Sequence, residues 1–124
     1  MTTSILFSIA DKEIVASDLA NGRITWSGRP LDRDVVDLIQ LDYVANAVVL
    51  LESYGSPPED RSNLVSIDSN GIVLWRAKLP TESSTDCFTS VEVVDGVISA
   101  FTWSSHRVLI DPNTGSTVSD EFTK

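Results

Sequence analysis

The chain has 124 residues, 42% of them apolar and 22% charged, which is enough to bury a core without a disulfide or a structural metal. Nine Lys and Arg face eighteen Asp and Glu, giving a formal net charge of -9. Nucleic acids and anionic membranes need the opposite sign, so both partner classes are excluded. A single Cys (Cys87) and a single His (His106) leave little material for a metal site or an activated nucleophile.

The N-terminal stretch from Met1 to Asp11 lacks a basic n-region, and its apolar part is too short and Ser-rich for a leader. The longest nearly apolar run, Val44 to Leu51, is far shorter than the about 20 residues of a membrane-spanning helix. A lone Cys makes no internal disulfide. The expectation is a cytoplasmic chain.

In chain order, Ile14 to Ser17, Ile24 to Trp26, Val48 to Leu51, Val91 to Val94 and Val108 to Ile110 are short, rich in β-branched residues and bounded by turn signals. The best helical candidate is Leu31 to Leu41. It lacks a clean cap, and Val35, Asp37, Ile39 and Leu41 also read at period two, so strand is the reading taken.

Three turns line up. Asp18-Leu19-Ala20-Asn21-Gly22 precedes Trp26, Asp68-Ser69-Asn70-Gly71 precedes Trp75, and Asp111-Pro112-Asn113-Thr114-Gly115 follows Val108 to Ile110. Asn-Gly accommodates the positive φ of a hairpin turn, a left-handed Gly closes the third, and the Asp accepts backbone N–H groups. Gly22, Gly71 and Gly115 are 49 and 44 residues apart, the period of four-stranded propeller blades. Blade-like units span 4–28, 35–76 and 87–120, with strands near 4–10, 13–18 and 22–27, then 35–41, 44–53, 63–68 and 71–76, then 87–94, 97–103, 106–111 and 115–120.

The pattern Ile67-Asp68, Gly71 and Trp75, with approximate copies at Asp18, Gly22 and Trp26 and at Ile110-Asp111 and Gly115, resembles the repeats of quinoprotein-type (PQQ-like) β-propellers. The third copy lacks the Trp. The resemblance implies a blade architecture. It brings no quinone cofactor, because no residue set for one is recognisable.

The expected fold is therefore all-β and antiparallel: one β domain over 1–124, as an open, partial propeller of three small sheets or a twisted β-sandwich. It should be more than about 40% strand, because closed repeats of this kind are nearly all strand. Val65, Ile67, Leu74, Val91, Val93, Ile98, Ala100 and Leu109 should be largely buried, as should Trp26 and Trp75, and the two Trp should lie at equivalent places in neighbouring sheets.

Candidate chemistry is sparse. Ser104, His106 and Asp111 form no recognisable catalytic set without a nucleophile elbow, and His106 reads as a solvated turn residue. Cys87 reads as a buried, inert thiol. Asp18, Asp68 and Asp111 are explained by their turns, so no metal and no cofactor is expected.

The remaining signal is the acidic loops. In a blade, the loops from second to third strand and from one blade to the next open on one face. Here these are the longest loops, and they carry Asp32, Asp34, Glu59, Asp60, Glu82 and Asp86. Tyr54 and Trp103 sit where strands meet polar loops and would anchor a contact. The reading is a non-catalytic binding protein for a basic partner, in a one-to-one complex with monomeric protein. Size and charge are similar to those of bacterial immunity proteins that cover the active site of a nuclease-type toxin, which implies carboxylates in the place of phosphates. The alternative is a structural module that pairs with copies of itself through open sheet edges.

Overall fold

The computed structural model describes residues 4–40, 46–53 and 62–123. Strand accounts for 56% of these and α-helix for none. The strands are β1 (Ile5–Ala10), β2 (Glu13–Asp18), β3 (Ile24–Gly28), β4 (Val35–Gln40), β5 (Ala47–Leu51), β6 (Leu64–Ile67), β7 (Val73–Arg76), β8 (Phe88–Val94), β9 (Val97–Thr102), β10 (His106–Ile110) and β11 (Thr117–Phe122). They form three antiparallel sheets: β1-β2-β3, β4-β5-β6-β7 and β8-β9-β10-β11. This is a partial β-propeller, and the first sheet has one strand fewer than the others.

The helical alternative at Leu31 fails. Pro30–Asp32 makes one 3-10 turn, and Val35–Gln40 is strand. The simple period-two reading fails as well. A bulge between Val35 and Asp37 puts Val35 and Leu38 against the first sheet, and Ile39 against the third.

Packing follows the order of the sheets. Ile5, Phe7, Ile14 and Ala16 meet Val35, Ala47, Val49, Leu51, Val65 and Ile67 in one core. Val48, Leu50 and Leu64 meet Phe88, Val91, Ile98, Ala100, Val108 and Ile110 in the second. The middle sheet is covered on both faces, so β5 and β6 are buried at every position, including Ser66. Among the described residues, the outer sheets are covered on one face only.

Val65, Ile67, Val91, Ile98 and Ala100 are buried as expected, while Trp26 and Trp75 are half-buried, each against the core of its seam. Leu74, Val93 and Leu109 are corrections. Leu74 is the bulged residue of the outermost strand β7 and is exposed. Val93 is exposed beside the Asp95-Gly96 turn. Leu109 is half-buried and faces away from the middle sheet, where no fourth sheet covers it.

The three turns are built alike. Asp18, Asp68 and Asp111 each accept the backbone N–H two residues on, at 2.8, 2.9 and 2.8 Å. Each carbonyl also takes the N–H of the turn glycine. Gly22, Gly71 and Gly115 have φ of 72°, 80° and 76°, while Asn21 and Asn70 do not have positive φ. The Asn residues therefore do not build a type I′ turn. Only Asp95-Gly96, with both φ positive, matches that geometry among the glycine turns.

Trp26 and Trp75 hold the sheets together. A methyl group at Gly71 would overlap the Trp26 indole, and one at Gly115 would overlap Trp75. Each indole is thus packed directly against the turn glycine of the next sheet. Thr25 Oγ1 donates to the Ser69 carbonyl at 3.0 Å, and Trp75 Nε1 to the Pro112 carbonyl at 2.9 Å. Both acceptors directly follow the turn Asp.

Candidate interaction site

The connections β1–β2, β3–β4, β7–β8 and β9–β10 gather at one end of the sheets, stitched by backbone bonds. Val35 N–H donates to Lys12 O, Glu52 N–H to Asp34 O, and Trp103 N–H to Cys87 O. The buried Asn63 ties the second sheet to the third: its amide nitrogen donates to Leu51 O and Phe88 O, and its oxygen accepts Phe88 N–H.

This loop face carries most of the left-handed backbone outside glycine. Asp11, Lys12, Leu31, Asp32 and Ser105 have φ between 51° and 66°. Such conformations cost of order 1–3 kcal/mol each and cluster where a loop shape is needed. Leu31 and Asp32 are held outward in this way, both exposed.

Of the acidic residues named from the sequence, Asp32 and Glu82 are exposed. Asp34 is half-buried, 3.0 Å from the Arg29 guanidinium and 4.0 Å from Lys12 Nζ. The hydrogen bond from Arg29 to Asp34 pushes the guanidinium pKa up, so this charge is permanent. Asp34 is thus largely neutralised within the chain. Tyr54, Glu59 and Asp60 lie outside the described residues.

Asp86 requires a correction. It is 1% exposed and is not a surface carboxylate. It accepts Thr81 Oγ1 at 2.6 Å, Cys87 N–H at 3.0 Å, Ser104 N–H at 3.1 Å and Ser104 Oγ at 2.9 Å. A buried carboxylate is stable only when so satisfied. Its role is to brace the β9–β10 turn. That turn presents Trp103, 69% exposed, as a large apolar side chain on a fixed backbone. The sequence placed Asp86 in the right loop but could not show that Ser104 would consume its oxygens.

His106 is not a turn residue. It opens β10, lies 2.5 Å from Asp120 Oδ1 through Nδ1, and meets the Phe122 ring edge-on at 5.7 Å. Cys87 is half-buried, and burial pushes its thiol pKa up. Asp18, Asp68 and Asp111 belong to three different sheets, each spent on its own turn.

Among solved structures, the chain is similar to BamB from Moraxella catarrhalis, at 16% identity and a TM-score of 0.59, over 100% of this chain and 38% of that one. It is also similar to the Cps50 (Swd1) β-propeller domain of Myceliophteria thermophila, at 14% identity and a TM-score of 0.65, over 97% and 41%. A computationally designed protein, Ika8, matches at 15% identity and a TM-score of 0.64, over 98% and 36%. The chain spans little more than a third of the length of these structures, and the likeness concerns the fold. No curated protein matches the sequence. The chain belongs to the family described as a domain of unknown function (DUF7957), whose model matches residues 30–122, the stretch that holds the second and third sheets.

Proposed function

We propose that this chain is a non-catalytic interaction module whose loop face binds a basic protein. The observation that carries the reading is Trp103: an exposed indole on a turn that a buried carboxylate braces. Rigid aromatic side chains are the usual anchors of protein interfaces. The exposed carboxylates of Asp32 and Glu82 lie on connections at the same end. The net charge of -9 would speed the encounter with a cationic surface. Propeller-like folds are consistent with such a module.

The finer reading is an inhibitor in the cytoplasm, of the immunity-protein kind, that covers the active site of a basic, nuclease-type toxin in a one-to-one complex. It rests on size and charge. Ile67-Asp68, Gly71 and Trp75 favour the quinoprotein type of repeat over other propeller repeats.

The test is association with the cationic protein encoded beside this gene. The on-rate should fall steeply with salt. Trp103→Ala should weaken binding by about 2 kcal/mol or more, as expected of an interface anchor. Asp32→Lys and Glu82→Lys should each cost about 1 kcal/mol or less, being solvated. Equal losses from Asp68→Lys on the opposite face would make net charge the cause, and would remove the site. Absence of any complex would remove the inhibitor reading.

A further inference from the structure

The two filled seams show what a third copy of the same surface lacks. Trp26 lies on Gly71 and Trp75 on Gly115, each seam with a donor to the carbonyl after the turn Asp. The matching glycine of the first sheet, Gly22, has φ 72° and nothing within 4 Å of where a Cβ would stand. The matching carbonyl is that of Leu19. Leu19 N–H donates to Ser4 O within the same sheet at 2.9 Å, and among the described residues no indole lies on Gly22.

The sheet face around it is apolar in the same sense. Cross-strand partners share a face, and Leu6, Ser17 and Ile24 form one row across the first sheet. The corresponding rows are Ala47, Ile67 and Val73 in the second sheet, and Ile98, Ile110 and Thr117 in the third. There, Ala47, Ile67, Ile98 and Ile110 are at most 1% exposed, because the preceding sheet covers them. In the first sheet, Leu6 is 47% and Ile24 is 64% exposed.

We propose that this face is a docking surface for a tryptophan borne on an extended segment of a different protein. The indole would lie on Gly22 and the segment would cover Leu6 and Ile24. The chain itself identifies the occupant, since it fills the same seat twice with indole. A second copy does not supply it by the same geometry. Four residues after Gly115, where Trp26 and Trp75 stand after their own glycines, the third sheet has Ser119. That residue shares its row with Glu92, Ser99 and Leu109 on the outer face. This surface is distinct from the loop face.

The probe is the peptide Arg23 to Arg29, Arg-Ile-Thr-Trp-Ser-Gly-Arg, which contains β3 and its indole. It is titrated into the isotope-labelled full chain, with amide shifts as the readout. Saturable shifts should concentrate at Leu19, Gly22 and Ile24. The same peptide with Ala in place of Trp should bind about tenfold more weakly, a typical loss for an interface anchor. The variant Ile24→Asp should lose binding while the Gly71 and Gly115 amides stay in place, which shows that the fold is intact. Equal binding of the two peptides would overturn the proposal. So would shifts confined to the edges of β1 or β11, which would mean strand pairing, or the absence of saturable shifts at millimolar peptide. Shifts at Gly22 and Trp103 that appear on concentrating the protein alone would assign the seat to a second copy, and would overturn it as well.

Discussion

Among the described residues, the first and last sheets of this stack each leave one face open, and the two faces differ most in their charge. The open face of the first carries Leu6, Val15 and Ile24 with an uncovered Gly22. That of the third sets the half-buried Phe101 and Leu109 among Ser90, Glu92, Ser119 and Glu121, with Arg107 donating to Ser99 Oγ at 3.0 Å and lying 3.9 Å from Glu121. Repeat arrays need terminal units with polar outer faces to stay dispersed. The third sheet, with Glu92, Arg107 and Glu121 on its open face, meets that need more fully than the first, where Leu6 and Ile24 stand exposed.

The comparison is broken most severely at a filled seam. Trp75→Ala removes the indole that rests on Gly115 and the donor to Pro112 O. Truncating a packed aromatic costs roughly 3–5 kcal/mol. Urea unfolding should show this loss, whereas Trp103→Ala, at an exposed turn, should stay within about 0.5 kcal/mol of the parent.

The glycines sharpen it next. Gly71→Ala and Gly22→Ala impose the same left-handed strain, about 1–2 kcal/mol. Only at Gly71 does the new methyl also collide with Trp26. The difference between the two variants, on the order of 1–3 kcal/mol, isolates the seam from the turn. Equal losses would mean that the turns and not the indoles set the stability.

Much of this was legible in the sequence. The spacing of Asp, Gly and Trp gave the turns, and the turns gave the strands between them. What was not legible depended on neighbours in space. Leu109 has the composition of a core residue and is half-buried because it lies on the face of the third sheet turned away from the middle sheet. Asp86 has the composition of a surface residue and is buried because Ser104, 18 residues away, meets both of its oxygens. The β4 bulge shifts Leu38 and Ile39 off the stripe that period two assigns them. The sequence marks the Gly22 turn as the first of three aligned turns, which does not reveal that its seat stands open.

A smaller effect concerns the seam between the second and third sheets, where Cys87 stands. Burial raises its pKa above the ordinary thiol value of 9.0. A raised acid means that the folded chain holds its proton more tightly than the unfolded one. This contribution is present below the ordinary value and fades as pH climbs through the raised one. Alkylation by iodoacetamide should accordingly run slower than for free cysteine at pH near 9, a region where ordinary thiols ionise. Cys87→Ser should lessen the loss of stability at alkaline pH. A thiol that reacts like free cysteine would place the seam open to solvent.

The mildest change for the fold of the single chain is the most direct test of the two ends. Ser119→Trp places an indole where the third sheet lacks one, on an exposed position of the edge strand β11. It should alter monomer stability by no more than about 0.5 kcal/mol, as surface substitutions do. Its effect should appear in solution mass. The new indole has a matching seat on the Gly22 turn of another copy, with Leu6 and Ile24 as the apolar ground around it. Such a contact is heterologous, so copies join head to tail and close a ring or grow. Sedimentation should show association that rises with concentration and vanishes when Ile24→Asp is added. A doubly open stack that stayed monomeric would show that the charged rows of Glu92, Arg107 and Glu121 hold the ends apart, and that the missing tryptophan is not what caps this protein.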